Sequence, residues 1–98
     1  MALKHESFRE KIEFITVEDN EHSLKLADKL LEGATLCLDF TNCPKDQSQR
    51  VLDFLSGVNY ATDGYVRPVA TNKNIFIFAL KESFKDPEIK EFLNKFSR

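Results

Sequence analysis

Tryptophan is absent from these 98 residues, and glycine, proline, cysteine, histidine and methionine are scarce. The three glycines stand alone at 33, 57 and 64, so there is no glycine-rich loop to cradle a phosphate. The two histidines, His5 and His22, lie far apart in polar surroundings, which leaves no Ser-His-Asp or Cys-His arrangement. Cys37 sits in an apolar run as a small hydrophobe, and Cys43 precedes Pro44 at the mouth of a helix. In a reducing cytosol no disulfide is expected between them, and two thiols without a nearby histidine do not suggest metal. The acidic groups Glu18-Asp19-x-Glu21 and Asp39 lack the spacing of a metal loop. No catalytic group, cofactor or metal is therefore expected.

Long apolar runs are missing too. None approaches the roughly 20 residues that cross a bilayer, and no signal-peptide pattern opens the chain, which makes the cytoplasm the expected compartment. A net charge of −2 carries no basic excess, so nucleic acid is not an expected partner. The length suits one domain with one modest core.

What the chain has is phenylalanine, nine of them. Each buried Phe contributes roughly 1.5–3 kcal/mol of transfer free energy. Nine can overfill a small core and leave some for an interface.

The expected elements follow from period and punctuation. Residues 1–11 are polar and expected to be loose and flexible. Ile12–Val17 is β-branched and aromatic, as in a strand. Asp19 or Asn20 caps a helix over 21–32 that stops at Gly33, with Leu24, Ala27 and Leu31 on one face, Leu30 on its flank and Leu26 off it. Thr35–Phe40 is a second strand, parallel to the first because a helix joins them. Pro44 sets the first turn of a second helix, and Gly57 is read as its left-handed stop. Val58–Ala61 and Tyr65–Val69 then flank a hairpin turn at Asp63-Gly64, Pro68 marking an edge. Asn72-Lys73-Asn74 turns into a strand over 75–80. Asp86 caps a last helix over 87–97, with Ile89, Phe92, Leu93 and Phe96 at helical spacing. The order βαβαβββα implies an α/β two-layer sandwich in a compact single domain.

Two places carry more apolar surface than one core face uses. On the second helix Ser48, Val51, Leu52 and Leu55 share a stripe, while Phe54 lies about 100° from Leu55. Gln47, Arg50 and Phe54 form a flanking face, and a Phe beside an Arg is favoured at interfaces. In 75–80 Ile75, Ile77 and Ala79 point one way, and Phe76, Phe78 and Leu80 the other. Such a strand is covered on both faces, by the C-terminal helix or by a second subunit.

The run Arg50-x-x-Asp53-Phe54-Leu55-Ser56-Gly57, then Tyr60-Ala61, Asp63-Gly64 and Asn74-Ile75-Phe76-Ile77-Phe78, resembles the core domain of the SepF family. Leu26-Ala27-Asp28-x-Leu30 and the strand after Gly33 extend the resemblance, which covers about 12–80. It implies a core over 12–80, a C-terminal helix over 81–98, and a non-enzymatic cell-division adaptor. It further implies a homodimer, with possible further assembly into a polymer, that binds the C-terminal tail of FtsZ at the division site. The resemblance carries Arg50, Phe54, Leu55 and Gly57 into the subunit contact and tail groove, with Tyr60, Phe76 and Phe78 in support. Gln47 and Val51 border the same face. The family's N-terminal amphipathic helix is missing from residues 1–11, where Leu3 and Phe8 are too few for stable membrane binding, so membrane contact by this chain is not expected. Asp39-Phe40-Thr41-Asn42 also departs from the family's usual Asn-Leu, and a helix follows the last strand in place of Thr-Pro.

Two other classes stay open. One is a small dimeric regulatory ligand-binding domain, which would need a polar-lined pocket. The other is an enzyme using Cys43, whose thiol pKa a helix N-terminus could lower.

Overall fold

A computed structural model describes residues 12–69 and 72–96, in the order β1 (Glu13–Thr16), α1 (Ser23–Leu31), β2 (Leu36–Asp39), α2 (Lys45–Ala61), β3 (Gly64–Val69), β4 (Asn72–Leu80) and α3 (Pro87–Phe96). A 3₁₀ turn over Lys81–Lys85 joins β4 to α3. The four strands form one sheet in the order β1-β2-β4-β3. β1 and β2 are parallel, as the intervening helix requires, and β4 runs antiparallel to both β2 and β3. The expected reading of residues 1–11 lies outside the described residues.

The class and the succession of elements are those expected, with one segment reassigned. Val58–Ala61 is the last turn of α2, not a strand, so Gly57 lies inside the helix and Asp63-Gly64 is no hairpin turn. A glycine inside a helix costs about 1 kcal/mol relative to alanine. Burial beyond it offsets that cost: Asn59 is fully buried and Val58 packs against the core. The helix stops at Thr62, whose N–H donates to the Val58 and Asn59 carbonyls. The left-handed residue that follows is Asp63, with φ 65°, a conformation Asp tolerates better than most residues. The hairpin lies further on, between β3 and β4. Residues 72–74 belong to β4, and the register shifts between Pro68 and Val69.

The first helix also differs in detail. It begins at Ser23, because the Asp19 carboxylate takes the Glu21 N–H at 2.9 Å and holds 19–22 in a turn. Gly33, at φ 91°, ends it as expected.

One core cluster lies between the sheet and α1 and α2, built on Leu26, Leu30, Leu36, Leu38, Val51, Leu55 and Phe78. The opposite face carries a second cluster of Ile12, Cys37, Val69 and Ile77, closed by Ile89 and Phe92 of α3. Thus β4 is covered on both sides within one chain, and α3 adds a partial third layer. Its start is capped by Asp86, whose carboxylate accepts the Glu88 N–H at 2.9 Å.

Candidate functional site

α2 is 17 residues long, about 25 Å, and sits over the sheet on Val51, Leu55 and Asn59. Its outer side carries Arg50, Phe54, Gly57, Val58 and Ala61, spaced so that they fall on one stripe. Arg50, Phe54, Gly57 and Ala61 are exposed and Val58 is half-buried. Phe54 is 41% exposed, so the expectation that it stands clear of the buried stripe holds. No side chain stands within 4 Å of where a Cβ on Gly57 would be. The helix backbone is bare there, which lets another surface approach closely.

The same side of α2 meets α1. The Asn20 N–H donates to Gln47 Oε1 at 3.1 Å, which turns the Gln47–Phe54 flank towards the start of α1. On α1, His22, Lys25, Leu26 and Lys29 line a groove with Ile15, Thr16 and Val17. That places their flank towards β1 and leaves Leu24 and Leu31 on the other, towards α2. Both leucines are exposed, at 72% and 61%. The two helices run the same way, since each returns from one parallel strand to the next. Leu24, Leu31 and Phe54 therefore mark one outer seam between α1 and α2.

These leucines correct the expected face of α1. Leu26, Ala27 and Leu30 are the buried set, and Leu24 and Leu31 are not. Both faces satisfy helical spacing. What separates them is the packing of α1 against the sheet and α2, which buries Leu26, Ala27 and Leu30, with the Glu13–Lys29 ion pair, 2.9 Å, on the exposed flank towards β1.

The remaining residues singled out from sequence are spread over three environments. Val51, Leu55 and Phe78 lie inside the core, beneath the helix layer. Phe76 is half-buried on the same sheet face, edge-on to Phe40 with centroids 6.1 Å apart. Tyr60 is exposed but lies about 120° around α2 from Phe54. The outer stripe thus unites Gln47, Arg50, Phe54 and Gly57, and leaves Tyr60 apart.

Chemistry at the cysteines runs against the nucleophile reading. Cys43 is half-buried, and burial, with Asp19 and Asp46 adding to it, pushes its thiol above the ordinary value. Cys37 is pushed up to about 11 by burial first and Asp39 second. Asp39 is held low by the Thr41 hydroxyl and N–H, both donating to Oδ1, which orders the turn after β2. Among the described residues no group of His, Cys, Asp and Glu could hold a metal ion, and no helix is long and apolar enough to cross a membrane.

Comparison with known proteins adds the family. Residues 12–82 match the family described as "Cell division protein SepF". Curated proteins of that name are similar to this chain. That of Syntrophomonas wolfei is 45% identical over 53 residues, 54% of this chain and 36% of the relative. That of Finegoldia magna is 34% identical over 71 residues, 72% of this chain and 43% of the relative. That of Carboxydothermus hydrogenoformans is 29% identical over 70 residues, 71% of this chain and 50% of the relative. The chain spans between a third and a half of the length of these relatives.

Proposed function

Because this chain belongs to the SepF family of cell division proteins, we propose that it is a non-enzymatic adaptor that self-associates and binds the C-terminal tail of FtsZ. The observation that carries this reading is the outer seam of α1 and α2. Leu24, Leu31 and Phe54 present apolar side chains there, with Arg50 beside them and bare backbone at Gly57. Apolar side chains with an Arg at the edge are the composition of an interface centre. A second copy of the chain on this seam forms a homodimer. The tail then lies along the groove flanked by Gln47, Arg50 and Phe54. Val51, Leu55, Phe76 and Phe78 support that surface from beneath, and Tyr60 stands apart from it.

The core over 12–80 makes these contacts, and the C-terminal helix closes the far side of the sheet. Each contact is small, and repetition along an FtsZ polymer multiplies its strength through effective concentration. The protein works in the cytoplasm, at the division site, supporting assembly or tethering of the ring.

The test is a fluorescence-anisotropy titration of a labelled FtsZ C-terminal tail peptide from the same organism, with sedimentation velocity of the protein alone. Saturable binding and a concentration-dependent dimer, both weakened by Phe54→Ala, support the reading. A folded protein that stays monomeric and does not bind the peptide overturns it.

A further inference from the structure

A second surface lies where α2 ends and β3 begins. About 450 Å³ of space opens there, lined by Tyr60, Ala61, Asp63, Gly64, Tyr65 and Lys81. Three features of the lining favour positive charge, and Lys81 is the chain's own cation among them. Asp63 places a carboxylate at the rim. The carbonyl end of α2 carries the negative pole of the helix dipole, and α2 has no basic residue in its last turn to offset it. Tyr60 is 84% exposed and Tyr65 46%, so both offer ring surface to a ligand.

The chain itself demonstrates the preference. Lys81 reaches in from the start of the 3₁₀ turn, with Nζ 3.0 Å from Asp63 Oδ1 and 5.3 Å from the centre of the Tyr65 ring. Its backbone N–H donates to the Asp63 carbonyl, which fixes the root of the side chain. The Asp63 hydrogen bond and charge raise the Lys81 pKa, so the ammonium is the form held there. Both partners of this pair are largely exposed, and exposed pairs of this kind exchange readily with solvent and with other ions.

We propose that this pocket receives an arginine side chain from a partner protein, with Lys81 as its built-in competitor. A guanidinium is planar and weakly hydrated, so it can stack on Tyr60 while donating to the Asp63 carboxylate. A neutral side chain can still hydrogen-bond the carboxylate, but it gains no charge attraction from Asp63 or from the helix end. Tyr60 lies about 120° around α2 from Phe54, whereas Ala61 at the pocket's edge shares the outer stripe, so the two surfaces adjoin there.

The composition supplies a direct reporter. Tyr60 and Tyr65 are the two tyrosines of the chain, which has no tryptophan, so intrinsic fluorescence reads this pocket. The experiment titrates the full chain with N-acetyl-arginine methylamide and, in parallel, with the neutral isostere N-acetyl-citrulline methylamide. Tyrosine emission and the amide shifts of Asp63, Gly64 and Lys81 are followed. The arginine probe is expected to saturate, and the citrulline probe to bind at least about threefold more weakly. Lys81→Met is expected to tighten arginine binding by a similar factor, because the competitor is gone. Tyr60→Ala and Asp63→Asn are expected to weaken it. Asn accepts the positive φ at 63, and Tyr60 is too exposed to be needed for folding, so both variants keep the fold. Equal binding of the two probes, or a Lys81→Met variant that binds arginine no better than the wild type, overturns the proposal. Neither probe contains an FtsZ sequence, so the result stands apart from the tail-binding reading.

Discussion

Asn59 and Gly64 fit one another so closely that position 64 has no room for a Cβ. The Asn59 amide donates from Nδ2 to the Tyr65 carbonyl at 2.6 Å. Its Oδ1 then lies 2.5 Å from where a Cβ on residue 64 would stand, and the Ala79 carbonyl lies 2.6 Å from the same point. This contact fastens the last turn of α2 to the start of β3 and sets the angle at which the helix leaves the sheet.

Gly64→Ala is therefore expected to destabilise the protein by about 1–3 kcal/mol, since a carbonyl of β4 cannot move aside as a side chain can. Asn59→Ala removes a fully buried side chain and strands the Tyr65 carbonyl, at a cost of about 1–3 kcal/mol. Urea unfolding of the two single variants and the double variant checks this. The double variant should be less destabilised than the sum of the singles, because the Asn59 clash is then gone. Strict additivity would contradict the contact.

Gly57 behaves in the opposite way. It is exposed, inside a helix, and has open space around its Cβ position. Gly57→Ala is expected to stabilise the monomer by about 0.5–1 kcal/mol through helix propensity alone. Gly57→Lys should leave a folded monomer of undiminished stability whose self-association is weaker, because the long side chain stands on the outer stripe. Thermal melts and sedimentation velocity separate the two effects. Self-association of Gly57→Lys equal to that of the wild type would remove Gly57 from the proposed interface.

Leu31→Ser tests the part of the seam that lies on α1. Leu31 is exposed, so its replacement is expected to change unfolding free energy by no more than about 0.5 kcal/mol. Its loss should reduce dimer formation alongside that of Phe54→Ala. A large loss of stability would instead place Leu31 in the core.

The raised Cys37 thiol has a consequence at high pH. A thiol near 9 in the unfolded chain and about 11 in the fold keeps its proton longer when folded. The unfolded state binds fewer protons above pH 9, so stability should fall as pH rises from about 9 to 11 and then level. Cys37→Ala should flatten that part of the stability profile. At pH 8 a thiol reagent should modify half-buried Cys43 first and Cys37 only as the fold opens. Equal labelling rates in the folded protein would contradict this.

α3 is held by few large side chains, and Phe92 is the chief among them. Phe92 is buried, and its ring meets Phe14 edge-on at 5.7 Å. Phe92→Ala is expected to cost about 3–5 kcal/mol. It should also raise hydrogen exchange in α3 ahead of α2, because only the smaller of the two clusters loses its cap. Uniform exchange throughout would mean the two clusters unfold as one.

Much of this architecture was legible in residue order alone. The doubly apolar 75–80 run required cover on both faces, Gly33 and Asp86 marked a helix end and a helix start, and the spacing of Phe54 from Leu55 put that ring outside the buried stripe. These are local properties, set by side-chain period and backbone preference, and distant residues do not alter them. Three decisions belonged to the tertiary structure. Gly57 carries a strong local stop signal, but the burial of Asn59 beyond it outweighs the roughly 1 kcal/mol at stake and carries the helix on to Ala61. Leu24 and Leu26 satisfy helical spacing equally, and only the placement of α1 against β1 and α2 buries one and exposes the other. Tyr60, Asp63, Tyr65 and Lys81 come from three elements, and their meeting depends on how β3 and β4 pair beside the end of α2. Local propensities differ by about 1 kcal/mol per residue, whereas burying one large side chain is worth two or three times that, so packing decides wherever the two disagree.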